Sequence, residues 1–95
     1  IGINYISRGC KNLKKLSLST NAGITNKSLV SISNRCPSLN LINLENCPNI
    51  SKDGLEEIIS KLPKLRHLCI YNTPVGYDYE YVNTLKEKFK DLYLY

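Results

Sequence analysis

Apolar residues recur along this chain in two alternating patterns, one with the spacing of a strand and one with the spacing of a helix. The strand pattern begins with Cys10, Leu13, Leu16 and Leu18, at positions 1, 4, 7 and 9 of a block. Twenty-six residues later stand Cys36, Leu39, Ile42 and Leu44, and after another twenty-six Leu62, Leu65, Leu68 and Ile70. All twelve are Leu, Ile or Cys. The alternation at positions 7 and 9 predicts short strands centred on Leu16 to Leu18, Ile42 to Leu44 and Leu68 to Ile70, each with one buried face.

Before each block runs an apolar stripe at spacing 0, +3, +7: Ile3, Ile6 and Cys10; Leu29, Ile32 and Cys36; Leu55, Ile58 and Leu62; Val82, Leu85 and Phe89. That is the buried face of an amphipathic helix. Helices are expected over about Thr25 to Arg35, Lys52 to Lys61 and Glu80 to Lys88. The step from Leu62 to Phe89 is 27, so the third unit carries one extra residue. Between strand and helix lie turn-rich segments with one apolar plug each: Ile24, Ile50, and either Val75 or Tyr77. Thr25 and Ser51 follow their plugs and are expected to cap the helices. In the last block, Phe89 to Tyr95, either Leu92 takes position 4, or Leu92 and Leu94 take positions 7 and 9.

A strand-turn-helix unit cannot cover its own apolar face. Stacked on its neighbours, it forms a parallel sheet over one continuous core. The expected fold is α/β, a right-handed solenoid with a parallel sheet on the concave face, helices on the convex face and about three full repeats. The chain is then one solenoid segment over residues 1–95, with repeats at about 10–35, 36–61 and 62–88 and partial units at both ends. Neither end carries the polar cap that solenoids usually need, which points to a section of a longer protein.

The segments Leu13-x-x-Leu16-x-Leu18-x-x-Asn21 and Leu39-x-x-Ile42-x-Leu44-x-x-Cys47 resemble the leucine-rich-repeat signature. The 26-residue period, the Cys36-Pro37 pair and the Ile-Thr/Ser-x-x-x-Leu segments at Ile24 to Leu29 and Ile50 to Leu55 resemble its cysteine-containing subclass. The resemblance covers roughly residues 3 to 92, and departs from the pattern at Thr73, at Leu62 and in the longer, Tyr-rich third loop. The subclass is best known from F-box proteins, the substrate receptors of ubiquitin ligases. The resemblance thus implies a protein-protein interaction module, such as the substrate-recognition segment of an F-box-type receptor. A structural or assembly scaffold in a larger complex is the alternative. An F-box would have to lie upstream of Ile1.

Composition changes this picture little. Hydrophobic content of 42% and charged content of 22% suit a globular domain, and no apolar run is long enough to span a bilayer. A net charge of +5 and the cluster Lys11, Lys14, Lys15, Lys64 and Arg66 raise the question of phosphate binding. No glycine-rich phosphate loop or interleaved aromatic accompanies the cluster, so nucleic acid is not an expected partner.

Four cysteines in a short chain also raise a disulfide scaffold. Equivalent helix ends such as Cys10 and Cys36 should stand on the order of 10 Å apart, beyond the roughly 7 Å a disulfide tolerates. Reduced thiols and an intracellular location, in cytoplasm or nucleus, are expected. Cys47 should bond loop backbone, and Cys69 should point out of its strand. The single histidine cannot complete a zinc site, and no cofactor is implied. His67 and Cys69 share a strand face but lack an orienting acid, so an enzyme is not expected. Asn26-Lys27-Ser28 and Asn49-Ile50-Ser51 match the glycosylation sequon, unremarkably in a chain with eleven Asn.

If position 7 and 9 residues point inward, their neighbours point out. They form the rows Lys15-Leu41-His67, Ser17-Asn43-Cys69 and Ser19-Glu45-Tyr71. The expected protein-binding residues are Lys15, Leu41, Asn43, Glu45, His67, Cys69 and Tyr71, with Leu41 and Tyr71 as anchors. Six of the seven tyrosines follow residue 70. The Tyr77-Asp78-Tyr79-Glu80-Tyr81 segment is either a contact surface or a cover for an open end.

Overall fold

The computed structural model describes residues 11–95. The first helix stripe, Ile3, Ile6 and Cys10, lies outside the described residues. The elements run β1 (Lys15–Ser17), α1 (Asn26–Arg35), β2 (Leu41–Asn43), α2 (Lys52–Lys61), β3 (His67–Cys69), α3 (Tyr79–Lys88) and β4 (Tyr93–Leu94). The four strands form one parallel sheet in chain order. Leu16 pairs with Ile42, Ile42 with Leu68 and Leu68 with Leu94, so each lateral step across the sheet is 26 residues along the chain. Parallel neighbours need a crossover, and each crossover here is a turn and a ten-residue helix.

The inward residues form the core. Ile42, Leu44 and Leu68 have no exposed surface, and Leu16, Leu18 and Ile70 are buried beside them. From the helices come Leu29, Ile32, Leu55, Ile58 and Leu85. The plugs Ile24, Ile50 and Val75 are buried, whereas Tyr77 is exposed, which settles the third loop in favour of Val75. The last block follows neither expected register entirely. Leu92 closes the turn on Phe89, as Leu39 does on Cys36 and Leu65 on Leu62. Leu94 nonetheless pairs with Leu68. The extra residue of the third loop is thereby absorbed before β4.

The strand exits share a second device. Thr20, Asn46 and Asn72, again 26 apart, have φ of 56°, 60° and 58°. Asn tolerates this left-handed conformation better than most residues, and a β-branched Thr tolerates it poorly. The side chains form a ladder: Asn46 donates to Thr20 Oγ1, Asn72 to Asn46 Oδ1, and the Tyr77 hydroxyl to Asn72 Oδ1. Backbone bonds from Thr20 N–H to Glu45 and from Asn46 N–H to Tyr71 extend the sheet pairing into the same loops.

Helix starts differ from expectation in one respect. Thr25 precedes α1, and its N–H donates to Ser28 Oγ. Ser51 stands at the cap position of α2, but its hydroxyl accepts from Asn26 Nδ2 at 2.7 Å while its N–H donates to Asn26 Oδ1 at 3.0 Å. The expected local cap is instead a bridge between neighbouring units. Asp78 caps α3 by accepting from Tyr81 N–H.

Candidate binding face of the sheet

Side chains alternate along each strand, so what is not in the core lies on the opposite face. The strand register sets Lys15 beside Leu41 beside His67, and Ser17 beside Asn43 beside Cys69. The loop bonds keep Ser19, Glu45 and Tyr71 in sequence beyond them. Lys15 is exposed, Leu41, Asn43, Glu45, His67 and Cys69 are half-buried, and Tyr71 is 66% exposed. All seven expected residues therefore share one face. They do not act alike. Asn43 turns its Oδ1 back to the Glu45 N–H at 2.9 Å, fixing the strand exit and leaving its amide NH2 as the outward donor.

The fourth strand adds two residues that sequence reasoning missed. Tyr93 continues the Lys15-Leu41-His67 row. The His67 ring stacks on Tyr93, centroids 5.1 Å apart and planes 16° apart. The Tyr95 ring lies 6.1 Å from it at 10°, and the Tyr95 oxygen is 3.0 Å from His67 Nδ1. The face thus grades from a basic end at Lys15, through Leu41, to a cluster of three rings. A step of 26 from His67 and Cys69 reaches Tyr93 and Tyr95, but the 27-residue step of the helices conceals it.

Two cysteines occupy contrasting places. Cys47 is wholly buried, and its thiol donates to Leu18 O at 3.0 Å, as the loop position predicts. Burial raises its pKa, partly offset by a backbone bond from Asn21, so the thiol stays protonated. Cys69 is half-exposed on the outward face of the sheet. Both are unbridged, and Cys10 lies outside the described residues. At the equivalent of Cys47 in the third loop, Thr73 is buried, donates to Ile70 O at 2.6 Å and accepts from Gly76 N–H. The hydroxyl closes its own loop where the thiol reaches to the neighbouring strand.

The basic cluster Lys11, Lys14, Lys15, Lys64 and Arg66 is exposed at the strand-entry edge. Arg66 Nη1 donates to the carbonyls of Pro63 and Leu65, which ties the guanidinium to its turn. Both sequon asparagines use their side chains internally, Asn26 with Ser51 and Asn49 with Ala22 O. No helix among the described residues is long and apolar enough to cross a membrane. Among the same residues no group of three His, Cys, Asp or Glu side chains is placed to hold a metal ion. The chain matches no protein-family model, and a search of curated proteins returns no match.

Proposed function

We propose that this chain is part of a right-handed leucine-rich-repeat solenoid of the cysteine-containing subclass, and that it binds another protein through the exposed face of its sheet. The observation that carries the reading is the constant 26-residue register, which sets nonrepeating side chains of mixed chemistry side by side on an open surface. Leu41 and Tyr71 supply apolar and amphipathic area, and Lys15, Asn43 and Glu45 surround them with polar groups. Interfaces commonly combine such anchors with a polar rim. A substrate receptor of the F-box type is the specific form we favour, and an F-box coding segment upstream of Ile1 in the parent reading frame is its discriminating sign.

A binding role is favoured over catalysis by the surroundings of His67. Its Nδ1 meets a tyrosine hydroxyl and its ring is stacked, and among the described residues no carboxylate is hydrogen-bonded to it. Unbridged thiols at Cys47 and Cys69 support an intracellular setting. The test is affinity for the partner by calorimetry. Leu41→Ala and Tyr71→Ala should each weaken binding by at least about 1 kcal/mol with the fold intact. Normal binding by both, with loss on Lys27→Glu in α1, would move the site to the helical side.

A further inference from the structure

The helical side contains a site of different character. Gly54 is the third residue of α2, and Tyr81 is the third residue of α3. Gly54 lets α2 lie against Asn26 and Leu29 of α1, with no room there for a Cβ. Tyr81 puts a phenol ring at the matching place. That ring is half-buried and lies 4.9 Å under Lys52 Nζ of α2, and no Cα of α3 comes within 8 Å of α2.

A cleft of about 600 Å³ opens here, and its lining extends past Gly54 to Asn26 and Val30 of α1. Ile59, Leu85 and Phe89 give it apolar walls, and Asp53, Glu56 and Glu57 line it with carboxylates. Glu57 is paired with Lys61 at 2.9 Å, while Asp53 has no ion pair among the described residues. The one cation in the lining, Lys88, lies 5.4 Å over the Phe89 ring. Lys52 is engaged by Asp78 at 3.0 Å. The Tyr81 hydroxyl is buried with no hydrogen-bond partner of standard geometry. Burial first, then the charge and hydrogen bonding of Glu56 and the charges of Asp53 and Asp78, push its pKa up to about 12.

We propose that the cleft between α2 and α3 is a second docking site, which takes a helical segment of a partner protein with one apolar face flanked by Lys or Arg. The α2 wall, Asp53 to Ser60, is about 12 Å long, enough for about two turns of such a helix, whose apolar residues would meet Ile59, Leu85 and Phe89. Its basic residues would meet Asp53 and Glu56, and the mode is the familiar helix in a groove. The site is independent of the sheet face, and either can fail without the other.

The test uses the full chain and two fluorescent peptides of about 14 residues, each with leucines on one helical face. One carries Lys on its other face, and its twin carries Glu there. The chain's net charge of +5 favours the Glu peptide at long range, so a preference for the Lys peptide reports the cleft. Anisotropy should show the Lys peptide binding roughly tenfold tighter or better. Asp53→Lys with Glu56→Lys should abolish that preference, while Leu41→Ala and Tyr71→Ala should leave it unchanged. Backbone amide shifts of the unmutated chain give a readout that does not depend on the variant folding. They should move along 52–61 and 79–89. Equal binding of the two peptides overturns the proposal. So do shifts confined to the sheet face, or a cleft filled by self-association in place of the peptide.

Discussion

The seam between α1 and α2 and the gap between α2 and α3 are built from equivalent units whose helices differ at nearly every position, the third helical residue among them. At the first, Gly54 permits backbone approach, and Asn26 and Ser51 lock the helices with two hydrogen bonds. At the second, Tyr81 occupies the matching place and the helices part. The sheet beneath keeps the same register through both regions. Helix spacing thus varies between units while the backbone ladder keeps the sheet geometry constant.

The largest effects should come from the core residues behind the two regions. Ile58 has no exposed surface, and Ile58→Ala should cost about 2 to 5 kcal/mol in urea unfolding. Leu85, its equivalent in α3, lines the cleft. Leu85→Ala should cost less, near the lower end of that range, because Leu85, though buried, borders the cleft and has fewer packing partners on that side. Equal losses would mean that the cleft closes in solution.

Gly54→Ala sharpens the contrast. Alanine is the better helix former by up to about 1 kcal/mol, but its methyl would collide with the Asn26 amide and Leu29. A net loss of about 1 to 3 kcal/mol is expected, read as a lower denaturation midpoint. A gain in stability would show that the seam has slack.

A smaller effect is expected at the start of α3. Asp78 accepts from Tyr81 N–H and pairs with Lys52, and these bonds hold its carboxyl below the ordinary range. Asp78→Ala should lower the denaturation midpoint at neutral pH. A carboxylate with a depressed folded pKa stabilises above its unfolded value and loses that effect as pH falls through the folded one. The difference between the variant and the unmutated chain should therefore shrink in acid.

Tyr81 offers the most local probe. A phenol whose folded pKa is raised gives stability that is whole below its unfolded value of 10.0 and lost as pH rises toward about 12. Phenolate absorbance should show one late-titrating tyrosine, absent in Tyr81→Phe. A phenolate titration that Tyr81→Phe leaves unchanged at its high-pH end would contradict this reading of Tyr81.

Much of this was legible in the sequence, for a definite reason. Leu16, Ile42 and Leu68 recur at the interval the sheet uses, and the stripes at Leu29, Ile32 and at Leu55, Ile58 fall on the observed helices, so inward and outward faces follow. The third helix begins at Tyr79, one residue before the expected Glu80. The Cys47 bond to loop backbone follows from its position after an inward strand. What escaped depends on differences between units. Tyr81 becomes informative only when aligned with Gly54, across a 27-residue step. The Tyr93–His67–Tyr95 cluster requires the sheet to return to a step of 26. The Asn46 and Asn72 ladder rests on a backbone conformation that their identity permits but does not impose, and Thr20 adopts it against its own preference.

The central claim, that the sheet face binds a protein, is tested most directly by placing a photocrosslinking amino acid at position 41 or at position 27 and irradiating in an extract of the source cells. Position 41 lies on the sheet face, half-buried, and position 27 is exposed on α1. The account predicts a discrete protein adduct from position 41, lost when Tyr71→Ala is added, and none from position 27. An adduct from position 27 with none from position 41 would contradict it.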